Sequence, residues 1–186
     1  MTVTELSIPG LRLVEPKAFG DARGYFLETY NQGRYQEAGI AESFVQDNLS
    51  SSVRGVLRGL HAQNPSPQAK LVSCALGEVW DVAVDARAGS PTYGRWEGVH
   101  LSAENHRQLM IPAGFLHGFV VLSERALFTY KVSDLYNPAG DFSVRWDDLD
   151  LGVAWPLEGI EPSISAKDEK AMRFADLTPE RLVPFA

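Results

Sequence analysis

Short β-favouring runs, broken at close intervals by glycine and proline, limit this chain more than any other feature. Its 186 residues include 16 glycines and 11 prolines, which leaves little room for long helices and favours strands that end in turns. Strand signals cover residues 24–30, 53–60, 71–76, 78–85, 93–101, 108–111, 118–122, 126–130 and 143–146. Gly77, between two of these runs, reads as a hairpin centre, and Gly89-Ser90-Pro91 as a further turn. The period of two puts Val82 and Val84 on one face and Asp81 and Asp85 on the other. Helix is confined to residues 31–38 and to 178–182, where Pro179 follows Thr178 at a first helical position. Such a pattern fits an antiparallel barrel or a double-sheet jelly roll. With no repeat, low-complexity tract or linker, residues 1–186 read as one domain.

Composition narrows the function classes. The chain is 45% hydrophobic and carries a net charge of −7, so a sizeable core is available and a nucleic-acid surface is disfavoured. Residues 1–10 have neither a basic start nor an apolar run, and no segment is long enough to span a membrane. The expectation is a soluble, cytoplasmic chain. Cys74 is the single cysteine, which rules out an internal disulfide and a multi-cysteine metal site. It reads as a small buried hydrophobe on a strand.

Residues 44–70, FVQDNLSSSVRGVLRGLHAQNPSPQAK, crowd a histidine, two arginines, a lysine and several amides into strand and turn. Burying charge on strands is unfavourable unless it is paired or solvated, so the segment reads as the wall of a pocket for an anionic ligand, with a titratable base. Gly55 followed six positions later by His61, and Pro112-Ala-Gly-Phe-Leu-His117, are similar to the two cupin motifs. In metal-binding cupins a second histidine and a glutamate complete the first motif. Here Gln63 takes the histidine position and no Glu occurs between His61 and Gly77, so neither a metal nor another cofactor is expected.

Nine motifs then occur in order: DxRGxF (residues 21–26), FVQDN (44–48), GVLRGLHxQ (55–63), QxKLV (68–72), DVAVD (81–85), SPTYG (90–94), PxGFxHGF (112–119), YK (130–131) and SxKD (165–168). Together, over residues 11–168, they closely resemble the dTDP-4-dehydrorhamnose 3,5-epimerase family. The resemblance implies an all-β, cupin-like double-stranded β-helix (jelly roll) with a few short peripheral helices. It implies a homodimer that inverts C3 and C5 of a dTDP-linked 4-keto sugar through enolates, on the route to dTDP-L-rhamnose. Relatives that invert only one carbon share almost every motif, and a metal-dependent cupin oxygenase or a non-catalytic sugar-nucleotide-binding module are the readings from other classes.

Epimerisation beside a ketone needs a base, a donor for the enolate oxygen and an acid on the opposite face. By resemblance, His61 is the base and Asp168 orients it, Lys70 meets the keto oxygen, and Tyr130 returns a proton from the far side. Arg23, Arg58 and Lys167 align with contacts to the diphosphate. Glu28, Gln46, Asp47 and Asn48 align with residues near the nucleotide, although FVQDN in isolation reads as a polar turn. Tyr136 aligns with the aromatic that stacks on thymine, assisted by Phe26. His117 is similar to a second pocket histidine with Asp81 as candidate support, and Asp141 to a rim residue. This chain departs from the pattern at Ala69 (usually Gly), Leu116 (commonly Ala) and Asp141 (commonly Glu), and in a loop between His61 and Lys70 that is one residue shorter. Residues 20–24 and 163–168 read as loops, and strand exchange between protomers would let a partner chain supply some contacts. His100 and His106 match nothing and read as surface residues.

Overall fold

The computed structural model describes residues 1–185. Its strands are β1 (Thr2–Glu5), β2 (Arg12–Glu15), β3 (Ala18–Asp21), β4 (Gly24–Leu27), β5 (Gln46–Val53), β6 (Leu57–Gln63), β7 (Lys70–Leu76), β8 (Glu78–Asp85), β9 (Trp96–Ser102), β10 (Gln108–Ile111), β11 (Phe115–Val121), β12 (Arg125–Val132) and β13 (Asp141–Ser143). Helix α1 (Gln32–Glu37) starts at Asn31, whose side chain accepts the Arg34 N–H at 3.2 Å. Pro179 opens a single 3₁₀ turn, Pro179–Arg181.

Two antiparallel sheets face each other, in the orders β1-β2-β10-β7-β12-β5 and β13-β6-β11-β8-β9, with β3-β4 as a separate hairpin. This is the all-β, cupin-like jelly roll that the sequence resemblance implied. Between the sheets lies a core that includes Val72, Cys74, Val79, Ala83, Phe119 and Phe128. A second core, around Leu60, Val82, Val84, Leu116 and Val144, covers the outer face of the five-stranded sheet beneath Trp80, Trp155 and Met172. Each fully buried side chain of this size contributes roughly 1.5–3 kcal/mol. Because β8 is covered on both faces, Val82 and Val84 enter one core while Asp81 and Asp85 are buried on the opposite side. The expected alternation holds, and those two carboxylates must find internal partners.

Local signals mislead at two turns. Gly77 is not the centre of a hairpin, because β7 pairs with β10 and β12 whereas β8 pairs with β11 and β9. At φ +75°, with a hypothetical Cβ only 2.1 Å from the Arg125 carbonyl oxygen, Gly77 is a corner that takes the chain from one sheet to the other. Both adjoining strands are apolar, so burial against opposite sheets wins over pairing with each other. The run at 53–60 also contains a turn, which separates β5 from β6. Of FVQDN, a polar turn when read alone, Gln46, Asp47 and Asn48 form the start of β5, where exposed and half-buried residues alternate. The Gly89-Ser90-Pro91 turn does join a true hairpin, β8 to β9. Asp85 anchors it, accepting from Arg87, Ser90 and Thr92.

Candidate active site

A cleft of about 280 Å³ opens between the two sheets. Arg58, His61 and Gln63 of β6, with His117 and Phe119 of β11, line one wall; Ser50 of β5, Lys70 of β7, and Phe128 and Tyr130 of β12 line the other. Strand alternation alone would put Arg58 and His61 on opposite faces, since they are three positions apart. A bulge corrects the phase. His117 pairs with His61 but Phe119 with Arg58, so β6 carries one extra residue against β11. Gly59 makes room for it, at φ +130°, where a Cβ would lie 2.6 Å from Gly118 Cα. GVLRGLH therefore encodes two functional groups on one face through its second glycine.

His61 Nε2 lies 2.6 Å from Asp168 Oδ1. Asp168 is buried, at the start of the 3₁₀ turn Asp168–Lys170. Burial alone would raise its carboxyl, yet hydrogen bonds from His61, Ser165 and the Gly59 N–H outweigh that and hold it below the usual carboxylate range. The carboxylate is thus ionised and holds the His61 ring in a fixed orientation. Deeper in the cleft, His117 Nε2 lies 2.9 Å from Asp81 Oδ2. Burial lowers the His117 pKa despite that carboxylate, and the nearby Lys70 and His61 add to the lowering.

On the facing wall, burial pulls Lys70 down to about 8, against the opposing pull of Asp81 and Asp141. Burial pushes the Tyr130 phenol up, with Arg58 acting the other way. At neutral pH the wall therefore offers a cation and a neutral O–H donor. The shortened loop before Lys70 still delivers it into the cleft, because Ala69 donates its N–H to Ser133 Oγ at 2.8 Å and Gln68 Nε2 donates to the Asp134 carbonyl at 2.8 Å. Leu116 faces the outer core, so its difference from the family pattern does not touch the cleft.

At the mouth, Lys167 forms an ion pair with Asp141, and Tyr136 donates its hydroxyl to Asp141 Oδ2 at 3.3 Å. Tyr136 is 58% exposed. Sequence reading saw Gln63 only as a missing histidine; the structure makes it a brace whose amide bonds to Ser66, Leu135 and Asn137. Its polarity at an otherwise buried strand end was the available signal. Among the described residues no three His, Cys, Asp or Glu side chains converge as a metal set would need.

Asp168 stands behind the cleft wall and reaches it through His61, and six other sequence candidates do not line the cleft. Arg23 pairs with Asp21 at the exposed tip of β3-β4, and Phe26 is exposed on the same hairpin. Glu28 pairs with Arg34 of α1. Asp47 turns to the outer face of its sheet and pairs with Lys131. Gln46 and Asn48 share the inward face of β5 with Ser50 but lie at the strand's start, bonded to each other; Gln46 Oε1 also accepts the Tyr136 N–H. Of the remaining histidines, His100 pairs with Glu78 and His106 packs against Tyr25.

Comparison with known proteins agrees with this geometry. The profile of the dTDP-4-dehydrorhamnose 3,5-epimerase family matches residues 5–176. The chain is 55% identical over 177 residues to the dTDP-4-dehydrorhamnose 3,5-epimerase of Pseudomonas aeruginosa, covering 95% of this chain and 97% of that one. It is 53% identical over 173 residues to the Salmonella typhimurium enzyme of the same name, covering 92% and 94%. The crystal structure of a dTDP-6-deoxy-D-glucose-3,5-epimerase from Legionella pneumophila, solved with dTDP-4-keto-L-rhamnose, superposes with a TM-score of 0.96 at 48% identity, covering 100% of this chain and 98% of that one. The chain belongs to the dTDP-4-dehydrorhamnose 3,5-epimerase family.

Proposed function

We propose that the chain catalyses the reaction its family is named for, inverting C3 and C5 of dTDP-4-keto-6-deoxy-D-glucose to give dTDP-4-keto-L-rhamnose, with His61, Lys70, Tyr130 and Asp168 as the catalytic group. The observation that carries this reading is the division of the cleft between two sheets. An imidazole backed by a carboxylate stands on β6, and an ammonium and a phenol stand on β7 and β12 opposite. Inversion needs two faces, and two walls supply them.

A C–H beside a ketone is acidic only as far as the enolate is stabilised. The C4 carbonyl lies between C3 and C5, so one cation at its oxygen serves both carbons, and Lys70 is that cation. His61 removes the proton from one face, with Asp168 stabilising the imidazolium that forms. Tyr130 delivers its proton to the opposite face of the enolate, and both groups then recover their protonation states through solvent. Arg58 and Lys167 meet the diphosphate, Tyr136 stacks on the base, and His117 and Asp141 complete the pocket floor and rim. In heavy water, deuterium should enter at both C3 and C5. Label at a single carbon would reduce the activity to a mono-epimerisation, and tight binding without label would leave only a sugar-nucleotide-binding protein.

The Lys70 assignment sets a pH dependence. Its charged form exists below its lowered pKa of about 8 and is lost above it, so turnover should fall on the alkaline side around that value. Lys70→Arg, charged throughout, should remove this limb from the kcat profile. A limb that persists unchanged in Lys70→Arg would belong to another group.

The working unit in this reading is a homodimer. Arg23, Phe26 and Glu28 lie outside their own cleft, on or beside an exposed hairpin, so as ligand contacts they serve a partner's site. Leu49 and Val53 leave an apolar stripe exposed on the outer face of the six-stranded sheet, suited to such a partner. Mixing Arg23→Ala with His61→Asn protein should restore activity at low substrate concentration, because random assortment leaves about a quarter of sites with both groups intact. No recovery after subunit exchange would place Arg23 outside the site. Among the described residues no helix is long and apolar enough to cross a membrane, and the charged nucleotide sugar stays in the compartment that makes it; the cytoplasm is the proposed location.

A further inference from the structure

Gln63 stands where a metal-binding cupin carries its second histidine, buried at the end of β6. Its amide is committed to protein partners. Nε2 donates to the carbonyls of Ser66, at 2.5 Å, and Leu135, at 3.0 Å, while Oε1 accepts the Asn137 N–H at 2.8 Å. Two acceptors on one side and a donor on the other fix a single amide orientation. Leu135 and Asn137 are the chain neighbours of Tyr136, so these bonds grip the backbone on both sides of it. The Tyr136 ring has little packing of its own, being 58% exposed with one side-chain hydrogen bond, to Asp141.

We infer that Gln63 is a positioning residue for nucleotide recognition: it clamps the loop between β12 and β13 so that the Tyr136 ring is held at the cleft mouth before substrate arrives. The inference rests on the assignment of Tyr136 to the base. It gives physical content to a glutamine standing where metal-binding cupins carry a histidine, since an amide with two donors and an acceptor grips a loop as a metal-bound imidazole does not. A loop ordered in advance need not be ordered on binding, and the affinity gained appears in KM and Kd more than in kcat.

The test is titration of dTDP by calorimetry into wild type, Gln63→Met, Tyr136→Ala and the double variant, with kcat and KM measured alongside. Gln63→Met keeps the side-chain length and removes all three bonds. Each single change should weaken dTDP about tenfold, and the double variant should bind no more weakly than Tyr136→Ala, because the clamp acts through the ring. Should Gln63→Met fail to fold, Gln63→Glu serves: it keeps an acceptor for Asn137 but sets a carboxylate against two carbonyl oxygens, and the same non-additivity is expected. Multiplied losses in the double variant, or unchanged dTDP affinity in the Gln63 variants, overturn the clamp while leaving base stacking intact. Wild-type affinity in Tyr136→Ala overturns the stacking assignment and the clamp together.

Discussion

His61→Asn should lower turnover by about 10² to 10⁴, and solvent deuterium uptake at both carbons should fall with it. Asparagine keeps much of the shape of the imidazole and an acceptor within reach of the cleft, but it takes no proton at neutral pH. Because Asp168 is held ionised chiefly by His61 against the effect of its burial, the variant also leaves a buried carboxylate short of its partner. Some loss of stability should accompany the loss of rate. Tyr130→Phe is the informative comparison. It deletes one hydroxyl on the opposite wall and leaves base and cation in place, so the enolate should still form and be reprotonated by His61 from the original face. Deuterium exchange should therefore outlast inversion. If Tyr130→Phe loses exchange as completely as His61→Asn while remaining folded, the assignment of base to one sheet and acid to the other is wrong.

Gly59→Ala should destabilise the fold by about 3 kcal/mol or more, read as a shift of the urea midpoint. The residue has φ +130°, and an added Cβ would meet Gly118 Cα at 2.6 Å and the His117 carbonyl oxygen at 2.9 Å. Both are backbone atoms of the neighbouring strand and have no rotamer to yield. Gly89→Ala is the control, since at φ +80° its Cβ would meet nothing within 4 Å; it should cost about 1 kcal/mol from backbone conformation alone. Equal midpoint shifts in the two variants would show that close strand approach at Gly59 is not what the glycine is for. Any Gly59→Ala protein that folds should turn over poorly, because relaxing the bulge drives Arg58 and His61 out of phase.

Much of the fold was legible because its rules are local. Alternation placed Val82, Val84, Asp81 and Asp85 on their proper faces, Asn31 marked the start of helix α1, and residues 108–111 coincide with β10. The errors lie where a long-range demand overrides a local one. A glycine with positive φ suits a two-strand turn and a sheet-to-sheet corner equally well, and only the pairing partners of β7 and β8 distinguish them at Gly77. FVQDN looks like a turn because its polar residues are read without β12, which pairs with it along the whole of β5. In the site, ordered motifs pointed to His61, Lys70, Tyr130 and Asp168, and the structure gathers them around one cleft from four separate elements. The spacing from Arg58 to His61 argues against a shared face unless the bulge at Gly59 is known. Gln63 stayed hidden because two of its three partners, Leu135 and Asn137, lie on a loop near it only in space.

The passage of the chain from one sheet to the other at Gly77 has a kinetic consequence. From β5 to β8, and again from β9 to β13, consecutive strands alternate between the two sheets, so apart from the β1-β2 and β8-β9 hairpins the pairing joins segments distant in the chain. Loop closure must be largely finished before pairing rewards it, which makes refolding slow for a chain of this length. His61 and Lys70, only a short loop apart in sequence, sit on opposite sheets and meet across the cleft only when both sheets have closed. Recovered catalytic activity therefore reports completion of the whole fold, and a partly folded chain has no site with which to bind the nucleotide sugar and be rescued by it.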